Sequence, residues 1–313
     1  MKVLVLGAGA VGGYFGGRLM QAGANVTFLV RPQRAKALAE NGLVLNSPLG
    51  NAQISVCTVQ KETVRPDYDL VILSCKAYDL DVTIGSLNNA VGPKTLVLPL
   101  LNGMAHLERL VQAFGKERVL GGTCYIASAL EADGSISHLG NFQGINCGPR
   151  AGNHAHAKSL LLELAQAYAR VSIECKVSDD IDQDMWEKFV FLASLAAMTC
   201  LMRASVGEIL AAEDGEALMR EALYACVAAA TAAGHAPSAE SMQRTQSMLF
   251  ARGSVFSASM LRDMEAGGQV EAEHILGYML RRARAAGGNT GVLAAAYCHL
   301  QAYESRRHRG WAG

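Results

Sequence analysis

Lys2-Val3-Leu4-Val5-Leu6-Gly7-Ala8-Gly9-Ala10-Val11-Gly12 is the stretch whose reading decides the fold. Its first five residues are an apolar, partly β-branched run of the kind buried on both faces of a parallel sheet. After the glycines, Tyr14 to Ala22 reads as a helix stopped by Gly23, and Asn25 to Val30 as a second strand. A G-x-G-x-x-G set between strand and helix in a βαβ unit of about thirty residues meets the context of a dinucleotide fingerprint. Gly7 permits the tight turn, Gly9 lets a pyrophosphate approach the backbone, and Gly12 lets helix and strand pack closely. Ala10 and Val11 open the helix, whose N-terminal N–H groups favour phosphate.

Working outward, the residue that chooses the nicotinamide cofactor stands at the end of the second strand. An Asp or Glu there would hold a ribose 2′-hydroxyl. This chain has Arg31, followed by Pro32 and, one turn on, Arg34. A guanidinium forks onto a 2′-phosphate, so NADPH is the expected cofactor.

At 313 residues the chain is long enough for two cores. Half of the residues are hydrophobic, and 28 basic residues balance 28 acidic ones. Nucleic-acid and anionic-membrane partners normally require a basic surplus and are not expected. Eight cysteines lie scattered, without a C-x-x-C pair, which suits reduced thiols in a cytoplasmic protein. Phe189 to Met202 is the longest run without a charge, at fourteen residues. It falls short of the roughly 18 expected of a membrane span and reads as a buried helix.

Further along, Arg34 to Asn41 reads as a short helix and Leu43 to Val59 as interrupted strands. Asp69 to Cys75, Thr95 to Leu101 and Val119 to Ala129 read as buried strands, and Gly134 to Pro149 as antiparallel edge strands around glycine turns. Lys158 to Ala169 is an expected helix and Val171 to Val177 a last strand. Asp179 to Asp184 is acidic and turn-like, and beyond it only helical spacing recurs. The expected architecture is α/β: a Rossmann-type dinucleotide-binding domain over 1–179 and an all-helical substrate and catalytic domain over 180–313. Such a plan implies a cleft where cofactor and substrate meet. Gly7, Arg31, Lys76 and Asn102 each follow a strand end, the place where open α/β sheets bind ligands.

The order and spacing of several pieces resemble the ketopantoate reductase (2-dehydropantoate 2-reductase) family. They are Gly7 to Gly12, Arg31, Cys75-Lys76-Ala77, Leu101-Asn102-Gly103, Trp186-Glu187-Lys188, Ser259 to Asp263, and Glu271 ahead of Gly277 to Ala283. The resemblance implies NADPH-dependent reduction of a 2-oxo acid, in that family ketopantoate to pantoate on the pantothenate route. It implies Lys188 as the catalytic lysine and Glu271 as the acid that supports it and touches substrate or ribose. It also implies Ser259 as a substrate-binding serine, with Asn102 and Lys76 flanking nicotinamide and substrate. The partner expected is a small 2-oxo acid, and the oligomeric state is open to a homodimer.

The chemistry of the residues agrees. Hydride transfer to a ketone builds charge on oxygen and calls for a proton donor. Lys188 opens the most apolar helix, where burial would favour the neutral amine and ease donation. His154 and His156 fall in a polar stretch and His274 on a helix, and none suits a catalyst. His154-Ala155-His156 lacks a Cys or carboxylate partner, so no metal is expected. One departure concerns the substrate. The family carries asparagines one and two turns after the lysine, where this chain has Leu192 and Ala196. An apolar wall there should discriminate less well for a hydroxylated substrate, which leaves room for a more apolar 2-oxo acid. A non-catalytic NADP-binding protein is the remaining alternative.

Overall fold

In the computed structural model, which describes residues 1–150 and 154–310, the opening run is the strand Lys2–Leu6 (β1), and the glycine turn leads into the helix Ala10–Gln21 (α1). The strand Asn25–Leu29 (β2) completes the βαβ unit, pairing parallel with β1 from Lys2↔Asn25 to Leu6↔Leu29. The chain divides into two units, Met1–Leu101 with His106–Ile181 and Asn102–Ala105 with Asp182–Gly313.

The first unit continues through the helix Pro32–Asn41 (α2) and the strands Leu43–Asn46 (β3), Ala52–Ile54 (β4), Cys57–Val59 (β5) and Leu70–Leu73 (β6). The helix Leu80–Leu87 (α3), strand Leu96–Pro99 (β7) and helix Ala105–Phe114 (α4) follow. Two long strands, Gly121–Leu130 (β8) and Ile136–Gly148 (β9), then the helix His154–Ala169 (α5) and strand Glu174–Val177 (β10) complete it.

Five strands form a parallel sheet in the order β5-β2-β1-β6-β7. The chain runs outward one way from β1 to β2 and the other way from β1 to β6, so the strand order reverses between β1 and β6. Loops beyond the carboxyl ends of the strands at such a switch point form the ligand crevice of open α/β sheets. Here those loops are the glycine turn and the segment holding Ser74 to Lys76.

A second sheet has the order β10-β9-β3-β4, with β8 antiparallel to β9. Gly134 to Pro149, read from the sequence as edge strands, instead supplies one long strand flanked on both sides: β9 pairs with β3, β8 and β10. Only β8 adjoins it in sequence; its other partners come from elsewhere in the chain, with Leu45 opposite Ile136 and Lys176 opposite Asn146, which local alternation cannot reveal.

Helix α1 is wedged between these sheets, and its glycines are the reason it fits. A Cβ on Gly16 would lie 2.8 Å from the Phe28 ring of the parallel sheet, and one on Gly13 only 2.3 Å from Ile136 Cδ1 of the second. Gly17 faces Leu43 at 2.9 Å. The shared core gathers Val3, Val5, Phe15, Phe28, Leu43, Ile136 and Tyr168.

The second unit holds the long helix Ile181–Met202 (α6), then Val206–Ala211 (α7), Gly215–Ala232 (α8), Ala239–Leu249 (α9) and Ser259–Glu265 (α10). A π-turn, Glu273–Gly277, runs into Tyr278–Ala285 (α11), and Gly291–His308 (α12) comes last. The acidic stretch expected as a turn is partly the first turn of α6, where Asp182 and Asp184 complement the helix dipole. Ala193, Ala196, Ala197 and Met198 of α6 have no exposed surface, so this apolar stretch of the helix is buried. His156 also departs from the expected loop: it lies exposed in α5, and the side chain of His154 is outside the described residues.

Candidate active site

The glycine turn carries the geometry that the sequence demands. Gly7 has φ +82°, a conformation that costs glycine alone nothing. Gly9 faces open space, with no atom within 4 Å of a Cβ placed on it, so a phosphate can come up to the backbone. A Cβ on Gly12 would lie 2.3 Å from Ser74 Oγ and 2.9 Å from the Gly7 carbonyl, which is the close helix–strand approach itself. The first helical bond runs from Gly13 N–H to the Gly9 carbonyl, so the N–H groups of Ala10, Val11 and Gly12 have no partner within the helix.

Next to this turn lies a cleft of about 790 Å³, lined among others by Gly7, Gly9, Arg31, Arg34, Cys75 and Thr83. Arg31 is exposed and precedes α2, whose first residue is Pro32. Arg34 donates to the Ala8 carbonyl at 3.0 Å, while its Nε is buried without a hydrogen-bond partner. Burial pulls this guanidinium below its ordinary value. A partly desolvated cation with an unused donor at the rim of a cleft is suited to an anion. Free backbone donors, room at Gly9 and two arginines together fit the pyrophosphate and a phosphorylated ribose of a dinucleotide. Lys76 caps a short 3-10 turn, Ala77–Asp79, and its carbonyl accepts the Asp79 N–H at 2.9 Å. Cys75 and Asp79 on either side of it line the cleft, and Lys76 does not.

The other expected residues gather in the helical unit. Asn102 and Lys188 meet there, the lysine Nζ donating to the Asn102 Oδ1 at 3.3 Å. Gly103, at φ +81°, turns the chain beside them; a Cβ on it would lie 3.3 Å from the His274 carbonyl and 3.5 Å from the Phe189 ring. Phe189 in turn meets the Tyr278 ring, with centroids 6.0 Å apart. The Asn102-Gly103 loop is therefore clasped between the lysine helix α6 and the π-turn. An Asn-Gly pair marks a turn in any sequence. Nothing local announces that the π-turn closes against it.

Glu271 is a buried carboxyl, 7% exposed. Its carbonyl accepts the Ile275 N–H at 3.1 Å, which seats it at the entry to the π-turn, an element frequent at functional sites. Ser259 is the first residue of α10 and is half-buried. Glu187, beside the lysine, accepts from the Ser238 N–H at 2.8 Å and from Gln183 Nε2 at 3.1 Å, tying α6 to the start of α9. Burial raises its carboxyl, but these hydrogen bonds outweigh it and hold the group below the usual carboxylate range. Leu192 and Ala196 continue the Lys188 face of α6 with carbon alone. Among the described residues no group of three or more His, Cys, Asp or Glu is placed to hold a metal ion.

Residues 3–152 match the family model described as Ketopantoate reductase PanE/ApbA, and residues 180–304 match that of its C-terminal part. A protein of Bacillus subtilis (strain 168) named as an uncharacterized oxidoreductase, YkpB, is 36% identical over 98% of this chain and 100% of its own. The crystal structure of a PanE/ApbA family ketopantoate reductase from Ralstonia eutropha JMP134 superposes with a TM-score of 0.87 at 25% identity, covering 98% of this chain and 100% of that one. D-Mandelate dehydrogenase, solved as a ternary structure with NADH and anilino(oxo)acetate, shares the fold with a TM-score of 0.85 at 20% identity, over 98% and 100% of the two chains. With its two family matches spanning most of its length, the chain belongs to the ketopantoate reductase family of oxidoreductases.

Proposed function

We propose that this oxidoreductase reduces a 2-oxo acid to the 2-hydroxy acid with NADPH, the leading substrate being ketopantoate on the route to pantothenate. The observation that carries the reading is the Lys188 to Asn102 hydrogen bond at 3.3 Å, which holds an ammonium group against an amide. When bound, the reduced nicotinamide supplies the hydride. Lys188 gives a proton to the keto oxygen as charge builds there, a task in which a positioned donor is worth about 10² to 10⁴ in rate. Asn102 fixes the direction of the ammonium, Glu271 supports the lysine, and Ser259 binds the substrate carboxylate. Lys76 flanks cofactor and substrate. Gly7, Gly9, Ala10, Val11 and Gly12 receive the pyrophosphate, and Arg31 with Arg34 receives the 2′-phosphate. Scattered free cysteines support a reducing, cytoplasmic setting.

Leu192 and Ala196 favour a second substrate class, a 2-oxo acid with an apolar side chain, because that face of α6 offers no hydrogen bond to a substrate hydroxyl. D-Mandelate dehydrogenase, with its anilino(oxo)acetate ligand, supports an aromatic member of that class. Loss of NADPH absorbance with ketopantoate, set beside phenylglyoxylate and simple 2-oxo acids, decides between them. Turnover of none of these, with NADPH bound, would overturn the reductase reading.

A further inference from the structure

The segment leading into Ser259 is strapped to the helical unit at four points. The Gly207 N–H donates to the Ser254 carbonyl at 2.8 Å, and the Val206 N–H to the Phe256 carbonyl at 2.9 Å. A Cβ on Gly207 would lie 2.5 Å from the Ser254 nitrogen, so the strap lies directly on the start of α7. The Phe256 ring stacks on Phe191 of α6, with centroids 6.1 Å apart and planes 15° from parallel.

Thr199 is the last point. Fully buried on α6, it donates its hydroxyl to the Leu195 carbonyl at 2.7 Å and accepts the Ala258 N–H at 3.4 Å. Ala258 is the N-cap of α10, and no side chain of that helix caps it. In a capping box the third helical residue reaches back to this N–H with a carboxylate or amide. Here that residue is Leu261, which has no oxygen to offer. A seven-residue helix is marginal on its own, and its first N–H groups need acceptors from outside. Thr199 supplies one from about three turns beyond Lys188, on nearly the same face of α6.

We infer that Thr199 is a positioning residue for Ser259: its hydroxyl fixes where α10 begins and so where the serine hydroxyl stands. This rests on the reading of Ser259 as the substrate-carboxylate partner. The test is Thr199→Val, which keeps shape and burial and removes the hydroxyl, run beside Thr199→Ser and a double mutant with Ser259→Ala. For a 2-oxo acid that the wild type turns over, Thr199→Val raises KM about three- to tenfold with kcat and NADPH affinity little changed, the loss expected of one hydrogen bond. Thr199→Ser restores KM, and in the Ser259→Ala background the valine adds nothing. An equal effect of the valine with and without Ser259, or no change in KM, would overturn the proposal. Amide exchange separates it from the functional reading. Faster exchange at residues 258–262 in Thr199→Val supports the positioning role even if no 2-oxo acid is reduced, and unchanged exchange overturns it.

Discussion

The Lys188 ammonium donates to the Asn102 amide oxygen at 3.3 Å, across 86 positions of sequence. Asn102 to Ala105 groups with the helical unit although it follows a strand of the Rossmann unit, so the proposed proton donor and its orienting amide belong to the same unit.

Lys188→Ala should lower kcat by about 10² to 10⁴ while NADPH still binds. Single-turnover oxidation of NADPH with saturating 2-oxo acid, paired with a cofactor titration, reads both. A variant that keeps its rate removes Lys188 from the chemistry.

Arg31→Ala and Arg34→Ala should each weaken NADPH by roughly ten- to a hundredfold and leave NADH nearly unchanged, since a hydrogen bond to a charged group is worth about 1.5–3 kcal/mol. Fluorescence titration with the two cofactors decides it. Equal losses for both would assign the arginines to the fold rather than to the 2′-phosphate.

Gly12→Ala brings a methyl group to 2.3 Å from Ser74 Oγ and 2.9 Å from the Gly7 carbonyl. The backbone oxygen cannot swing aside, so stability should fall by about 1–3 kcal/mol, with a larger relative loss of cofactor affinity. Urea unfolding with and without NADPH measures both, and a neutral substitution would contradict the observed helix–strand spacing.

Glu187 titrates below its ordinary 4.5 in the folded chain, burial opposing and hydrogen bonds from Ser238 and Gln183 winning. Its contribution is complete above the unfolded value and drains away as pH falls through the lower, folded one. Glu187→Gln should therefore flatten the loss of melting temperature on the acid side of about pH 4.5. Parallel curves for the two proteins between pH 6 and 3 would show that the carboxylate does not contribute.

Burial pushes the Cys200 and Cys226 thiols up to about 12, whereas Cys57 and Cys298 are exposed. At pH 8 a disulfide reagent should label Cys57 and Cys298 first, and reach Cys200 and Cys226 only after denaturation. Mass spectrometry of the labelled peptides gives the order.

Much of the Rossmann unit was legible because its evidence is local. Gly7 to Gly12, the run before it and the strand after it lie within thirty residues, and each glycine has its own reason in the structure: a positive φ at Gly7, open space at Gly9 and a close approach at Gly12. The second sheet was not legible in the same way: β9 draws neighbours from Leu45, Thr123 and Lys176, and no periodicity within Ile136–Gly148 names them. The residues of the proposed site were found by type and motif, but the clasp around Asn102-Gly103 was not. It depends on a π-turn, which leaves no repeat in the sequence, and on the His274 backbone oxygen, which any residue type could supply.

The glycines at 12, 13, 16 and 17 of α1 have one more implication. Each costs about 1 kcal/mol against alanine in a helix, so a twelve-residue segment carrying four of them has no tendency to coil by itself. A synthetic peptide spanning residues 1–30 would carry the whole fingerprint and grip no nucleotide. The anion-receiving helix end comes into being only once sheets from both sides have closed on it, so nucleotide affinity should report the integrity of the entire N-terminal unit.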